Sequence, residues 1–337
     1  MAQRKRKLKK KKIALTFFLF ALLVFMSGCV YYIVNLFYDF ENSRNTSFTT
    51  DLSELGIVSE EDNSLIDDAN DSTITNIALF GVDQREEEPC RSDVIMIATV
   101  DKRHNKIKLT SVMRDSYVPI DGYGQKKLNS AYFHGGPTLA VKTLNQVFDL
   151  DITDYVTVNF SEMAKIVDAV GGVEIDITEE ERLDANHNMI EQAAQSGEKV
   201  QTIQQSGLQT LTGMQAVGYA RIRNVGNSDF ERTERQRRVM TAIFDKGKNM
   251  NPLDYPGFIK EMLPIVETSL DLNEILDMAG IMLRDVSMED IRIPCNEDLI
   301  NGGDIWVNGQ VCLNYDLEAS KEKLHAFIYQ DIMPTQP

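Results

Sequence analysis

The chain has 337 residues, 43% hydrophobic and 26% charged, which is enough apolar material for a sizeable core. Its 51 acidic residues outnumber 35 basic ones, for a net charge of −16. That excludes a bulk nucleic-acid binder, which needs a broad basic surface to displace phosphate counterions.

Residues 1–12, "MAQRKRKLKKKK", hold eight Lys/Arg and no acid. Without them, 27 basic residues face 51 acidic ones, so any anion is held locally. Residues 13–38 carry no charge. At 1.5 Å per residue they reach about 39 Å, enough to cross a bilayer with tilt. The basic block before them predicts a cytoplasmic N-terminus, a single transmembrane helix and an extracellular remainder. "MSGC" at Cys29 resembles a lipoprotein cleavage box. However, Met26 stands three residues before it and the apolar run continues to Tyr38, which favours an uncleaved anchor. Residues 39–72 are polar and acidic, the composition of a flexible stalk. An extracellular domain then covers 73–337.

Within that domain, "ITNIALFGVD", "SDVIMIATVD" and "KIKLTSVMRD" read as strands covered on both faces. "GPTLAVKTLNQVFDL" reads as a helix with Pro137 near its start. "YVTVNF" is a strand. "SEMAKIVDAVGG" is a helix with Ser161 as N-cap and Gly171–Gly172 as its stop. "VEIDI" is another strand, and residues 178–206 look like an irregular insertion. Two helices follow, "TLTGMQAVGYAR" and "ERTERQRRVMTAIFDKGKN". A third is opened by Asp271 with Glu274 three residues on. "IRIP" and "DIWVNGQVCLNY" are strand-like, before a final helix. The alternation predicts an α/β fold, a three-layer α/β/α sandwich with a central mixed sheet.

Cys29 falls in the anchor. Cys295 and Cys312 flank "NGG" and "NG" turns and are candidates for a bridge, which leaves Cys90 over. No CxxC occurs and the four His are scattered, which speaks against zinc.

Polar residues cluster at strand ends. Asp83 closes the first strand, Arg91 and Asp93 open the second, and Arg114 and Asp115 close the third. Paired strands would bring them to one rim. There Asp83 and Asp93 suit Mg²⁺, which takes one or two carboxylates plus phosphate oxygens. Arg91 and Arg114 suit phosphate, which a planar guanidinium grips in bidentate fashion. Downstream, Arg221 and Arg223 alternate, and so share a side if extended. Arg232, Arg235 and Gln236 share one helical face, and Asp229 precedes Arg232 as a cap or steering group. Arg237 and Arg238 are expected in solvent or in stem packing. Lys126 and Lys127 lie in "KKLNSAY", a turn from which Lys127 could meet a phosphate oxygen. An isolated Arg–Asp surface pair would contribute only about 0–1 kcal/mol, so the weight rests on their convergence.

In this order, "LFGVD", "RSDVIMIATVD", "KLTSVMRD", "KLNSAY", "MAKIVDAVGGVEIDI", "LTGMQAVGYARIRN" and "DFERTERQRRVM" resemble the LytR–CpsA–Psr family of bacterial envelope proteins. The resemblance implies a phosphotransferase outside the membrane. It would move a glycopolymer, such as teichoic acid or capsule, from an undecaprenyl-diphosphate carrier to a peptidoglycan hydroxyl, forming a phosphodiester. It further implies Mg²⁺, or Mn²⁺ in its place, on Asp83 and Asp93. Diphosphate ligands would be Arg91, Arg114, Arg221, Arg223 and Arg232, with Lys127 and Gln236 in support. Asp115 would orient Arg114 or act as general base, and an apolar pocket of the sheet would hold the prenyl tail. Two alternatives use the same features: a polyprenyl-diphosphate pyrophosphatase, and a non-catalytic envelope regulator of the transcriptional-attenuator kind.

Overall fold

The structure is a computed structural model that describes residues 48–57, 73–83, 89–196, 200–226, 228–251, 253–282 and 284–335. The expected anchor, residues 13–38, lies outside these. Among the described residues no helix is long and apolar enough to cross a membrane.

The first half of the domain runs β1 (Ile74–Val82), β2 (Ser92–Asp101), β3 (Lys106–Val112), β4 (Tyr117–Ile120), β5 (Gly124–Lys127), α1 (Asn129–Phe148) and β6 (Asp154–Asn159). Next come α2 (Phe160–Ala169), β7 (Val173–Ile177), α3 (Glu179–Ser196), β8 (Gly207–Leu211), α4 (Gly213–Ala220), α5 (Ser228–Lys248) and α6 (Tyr255–Met262). The chain closes with β9 (Glu267–Thr268), α7 (Leu272–Ile281), β10 (Ser287–Ile293), β11 (Leu299–Val307), β12 (Gln310–Tyr315) and α8 (Leu317–Gln330).

Six strands form a mixed sheet in the order β10-β3-β2-β1-β6-β9. β2 is antiparallel to β1 and β3, whereas β6 runs parallel to β1. Alternation along the strands sorts side chains to two faces. Ala78 and Phe80 with their neighbours Ile97 and Ile95 face one way, into a core completed by Val141, Leu144 and Phe148 of α1 and Leu324 and Phe327 of α8. Leu79 and Met96 face the other way, toward α2, α4 and α5. The α/β fold with a central mixed sheet is thus as expected.

Several local expectations are corrected. Helix α2 is capped by Asn159, not Ser161: the Asn159 side chain accepts from the Glu162 backbone, and the Glu162 carboxylate accepts from the Asn159 backbone. Such a cap contributes about 1 kcal/mol. The expected insertion 178–206 holds an 18-residue helix, α3. Its polar composition hides a buried stripe of Ala185, Met189 and Ala193 at four-residue spacing. "VEIDI" does form a strand, but β7 pairs with β8 in a separate two-stranded sheet. Helix α1 begins at Asn129 and breaks at Gly135–Gly136, where Gly136 takes φ +60°, so Pro137 opens the second segment. The Asp271–Glu274 capping box opens α7 as read. Cys90, Cys295 and Cys312 are all free thiols, so no bridge joins Cys295 to Cys312.

Ten residues of the expected stalk, 48–57, belong to the folded domain. Phe48 packs on Tyr155 with ring centroids 4.8 Å apart, and Leu55 is buried in the main core. Asn145 Nδ2 donates to the Leu55 carbonyl at 2.8 Å. Two apolar side chains in an otherwise acidic stretch were enough to dock it, since burying each contributes about 1.5–3 kcal/mol.

Candidate functional site

The register delivers the strand-end residues to one rim of the sheet. Val82 pairs with Ser92, so Asp83 and Asp93 leave adjacent strand ends. β3 ends at Val112, two residues before Arg114. Arg114 is the hub. Its Nη1 donates to Asp93 Oδ1, its Nη2 lies 3.4 Å from Asp229 Oδ2, and its Nε lies 3.5 Å from Asp115 Oδ2 without hydrogen-bonding it. Burial pulls this guanidinium down, but Asp93, Asp115 and Asp229 together hold it above its ordinary range. Lys127 Nζ donates to Asp115 Oδ1 at 2.8 Å, fixing that carboxylate. Lys127 sits in β5 rather than in a solvated turn.

The first turn of α5 completes the cluster. Arg232 is 4% exposed and meets Asp229 Oδ1 through Nη2 at 3.1 Å. Its Nε and Nη1 are buried without a hydrogen-bond partner. A buried donor left unmade costs about 1–3 kcal/mol. Burial, and then the charge of Arg114, pull Arg232 down to about 10 against the opposing pull of Asp229. Asp229, despite the penalty of burial, is held below the ordinary carboxylate range by Arg232 and Arg114. Three buried guanidinium donors, Arg114 Nε and Arg232 Nε and Nη1, thus stay unmade in a desolvated place, an arrangement that suits an anion.

The remaining expected ligands divide. Arg223 is exposed, yet its charge reaches both Arg232 and Asp229. Arg221 closes α4 and lies over the Phe160 ring at 4.6 Å, so it and Arg223 do not continue a strand. Arg91 is exposed just before β2. Arg235 shares a helix with Arg232 but is spent on structure: it donates to Glu181 Oε1 at 2.8 Å and to the Val225 carbonyl at 3.0 Å. Arg237 is buried and paired with Asp290, while Arg238 holds Glu234 and the Tyr219 hydroxyl.

Behind the arginines lies an apolar cavity of about 180 Å³, lined by Leu79, Met96 and Val156 of the sheet, Phe160 and Met163 of α2, and Val239 of α5. Along one stripe of α5, Arg232 is followed by Gln236, Val239, Met240 and Ile243, and the last four line the cavity. The stripe runs from charge to amide to hydrocarbon over about 16 Å. A second apolar pocket of about 290 Å³, under α6 and α7, shares Val156 and Val266 with the first.

Asp83 and Asp93 fit a hard cation by chemistry and access. Both are partly exposed at the rim, and the Asp93 side chain is 29% exposed. Both carboxylates also act on the Cys90 thiol, which burial first and then Asp83, Glu267 and Asp93 push up. Among the described residues, the one group of three metal-type side chains lies elsewhere, at Asp101, His104 and Asp331. Lys108 Nζ fills that group, 2.8 Å from Asp101 and 3.2 Å from Asp331.

Fold and site together set a cationic rim with unmade donors beside an apolar cavity in an α/β domain. The family profile described as LytR_cpsA_psr family matches residues 33–324, and the chain belongs to that family. It is 33% identical over 224 residues to the polyisoprenyl-teichoic acid–peptidoglycan teichoic acid transferase TagU of Bacillus cereus (strain AH820), covering 65% of this chain and 68% of that one. It is 28% identical to TagT of Bacillus subtilis (strain 168), covering 65% and 67%. Two solved structures share the fold. TagT bound to LI-WTA superposes with a TM-score of 0.65 at 23% identity, over 85% of this chain and 99% of that one. The LytR-CPS2A-psr family protein YwtF (TagT) with bound octaprenyl pyrophosphate lipid gives 0.60 at 22%, over 84% and 99%.

Proposed function

We propose that this protein is a phosphotransferase at the outer face of the cell membrane, moving a glycopolymer from an undecaprenyl-diphosphate carrier to a peptidoglycan hydroxyl. The observation that carries this reading is Arg232: a buried guanidinium with two unmade donors, one turn from an amide and then an apolar cavity on a single helix stripe. A diphosphate on a prenyl chain has that same order of chemistry. The names of the relatives, teichoic acid transferases acting from a polyisoprenyl carrier, and the octaprenyl pyrophosphate in a structural neighbour support it.

In this reading Arg114 and Arg232 hold the diphosphate, with Arg91, Arg221, Arg223, Lys127 and Gln236 around it. Fixed guanidinium donors in a desolvated site stabilise charge that builds on the departing phosphate. Asp83 and Asp93 would hold Mg²⁺, which supplies further charge neutralisation when bound. Asp115, pinned by Lys127, takes the proton from the acceptor hydroxyl. The acceptor oxygen bonds to the sugar-linked phosphorus, the bridging P–O bond breaks, and prenyl phosphate leaves. The N-terminal segment, residues 13–38, anchors the domain to the membrane.

The test is release of undecaprenyl phosphate from a lipid-linked glycan by the purified chain with Mg²⁺. Release that requires a peptidoglycan acceptor and joins the glycan to it is the expected result. Equal release without acceptor would recast the protein as a pyrophosphatase.

A further inference from the structure

The hairpin β11–β12 is a separate two-stranded sheet, yet it is bonded to the arginine site. Leu313 N donates to the Asp115 carbonyl at 2.8 Å, and Ser116 bridges Leu313. The base of the hairpin, Leu313 and Tyr315, packs on Met113 next to Phe230 of α5. A tight turn at Asn308–Gly309, both at positive φ (50° and 78°), holds its tip. Next to that turn stands Trp306, the only tryptophan of the chain, 75% exposed. Its cross-strand partner Val311 is two residues from Leu313, which puts it about 7 Å along the strand from the Asp115 contact. Asp304 lies two residues away on the same face, exposed, and Asn308 is exposed two residues the other way.

We infer that Trp306 is a stacking platform for a pyranose ring of the acceptor glycan. This rests on the transfer reading above. A pyranose offers a C–H face to an indole π-face and hydroxyls to flanking carboxylate and amide groups, so indole, Asp304 and Asn308 match both halves of a sugar. A lipid surface matches them poorly, because an acidic side chain shares the indole's face.

Geometry selects the acceptor over the donor. The cavity is lined by β1, β2 and β6, whereas the hairpin is bonded to Asp115, the group that takes the acceptor's proton in the transfer reading. In phosphoryl transfer the attacking and leaving oxygens are roughly in line. With prenyl phosphate leaving toward the cavity, the nucleophile arrives from the opposite side and gives its proton to Asp115, the residue to which the hairpin is bonded.

Because Trp306 is the sole tryptophan, the indole emission of the full chain reports this site alone. Titration with a soluble tetrasaccharide of the peptidoglycan backbone is expected to change that emission saturably. In transfer assays, Trp306→Ala is expected to raise the acceptor KM about tenfold, the size of one stacking contact. The donor KM and kcat should be unchanged, and Trp306→Phe should stay near wild type. A silent titration with an unchanged acceptor KM overturns the platform. So does a rise in donor KM alone, or an emission shift seen with anionic phospholipid vesicles and not with the saccharide. A saccharide response without any transfer keeps the platform and removes the transferase reading instead.

Discussion

Strands β2 and β3 carry charge at both ends, and the two ends are opposite in character. At the far rim, Asp101 and Lys108 are fully buried and satisfied. Lys108 Nζ donates to Asp101 at 2.8 Å and to the Ile328 carbonyl at 2.9 Å, His104 meets Asp101 at 2.8 Å, and Lys106 holds Asp331 at 2.8 Å. Burial opposes the Asp101 charge, but the Lys108 and His104 hydrogen bonds hold its carboxyl at about 2. At the near rim, Arg114 and Arg232 keep donors unmade. The same sheet closes one charge cluster to lock α8 in place and leaves donors of the other unmade. Two neighbouring guanidiniums with unmade donors, rather than charge itself, mark the working end.

The contrast can be broken by substitution. Lys108→Met strands a buried carboxylate and is expected to lower stability by about 3–5 kcal/mol in urea unfolding. The kcat per folded molecule should be kept, and equal stability in the variant would deny that the far rim is structural. Arg114→Ala should instead lower turnover about 10²–10³-fold, read as prenyl phosphate release under saturating donor. Arg232→Met should separate the two properties most sharply. It removes the unmade donors, so unfolding stability rises by about 1 kcal/mol, while binding of inorganic pyrophosphate by calorimetry is lost. A variant both less stable and still binding would place Arg232 with the structural charges.

Acid sensitivity gives a further contrast. The folded pKa of Asp101 lies below the ordinary 3.8, so its stabilisation is present above about pH 4 and is lost as pH falls toward 2. That part of the acid-unfolding curve should be absent in Asp101→Asn.

Much of the rim was legible because it depends on strand ends, which apolar runs mark well. Asp83, Asp93 and Arg114 follow from where "ITNIALFGV", "SDVIMIATVD" and "KIKLTSV" start and stop. The arginines of α5 were less legible, since helical spacing gives a face but not what lies opposite. Arg235 matches Arg232 in spacing, yet Glu181 claims it from 54 residues away. The span 178–206, which read as irregular, supplies that partner. Asp229 was legible as a neighbour of Arg232. Its second contact, to Arg114, is a long-range fact that local pattern does not contain. The docking of residues 48–57 hid for a related reason: Phe48 finds Tyr155, which no window of sequence holds beside it.

The attachment of β11–β12 has an evolutionary consequence. The hairpin shares no strand with the main sheet and is held by a backbone hydrogen bond and a small apolar base. A backbone bond does not depend on side-chain identity. The outward residues of the hairpin can therefore drift, or be exchanged wholesale, without moving a single guanidinium. Such a protein could change which polymer surface it recognises while its phosphate chemistry stays frozen, and a library confined to 300–311 is the natural place to retarget it.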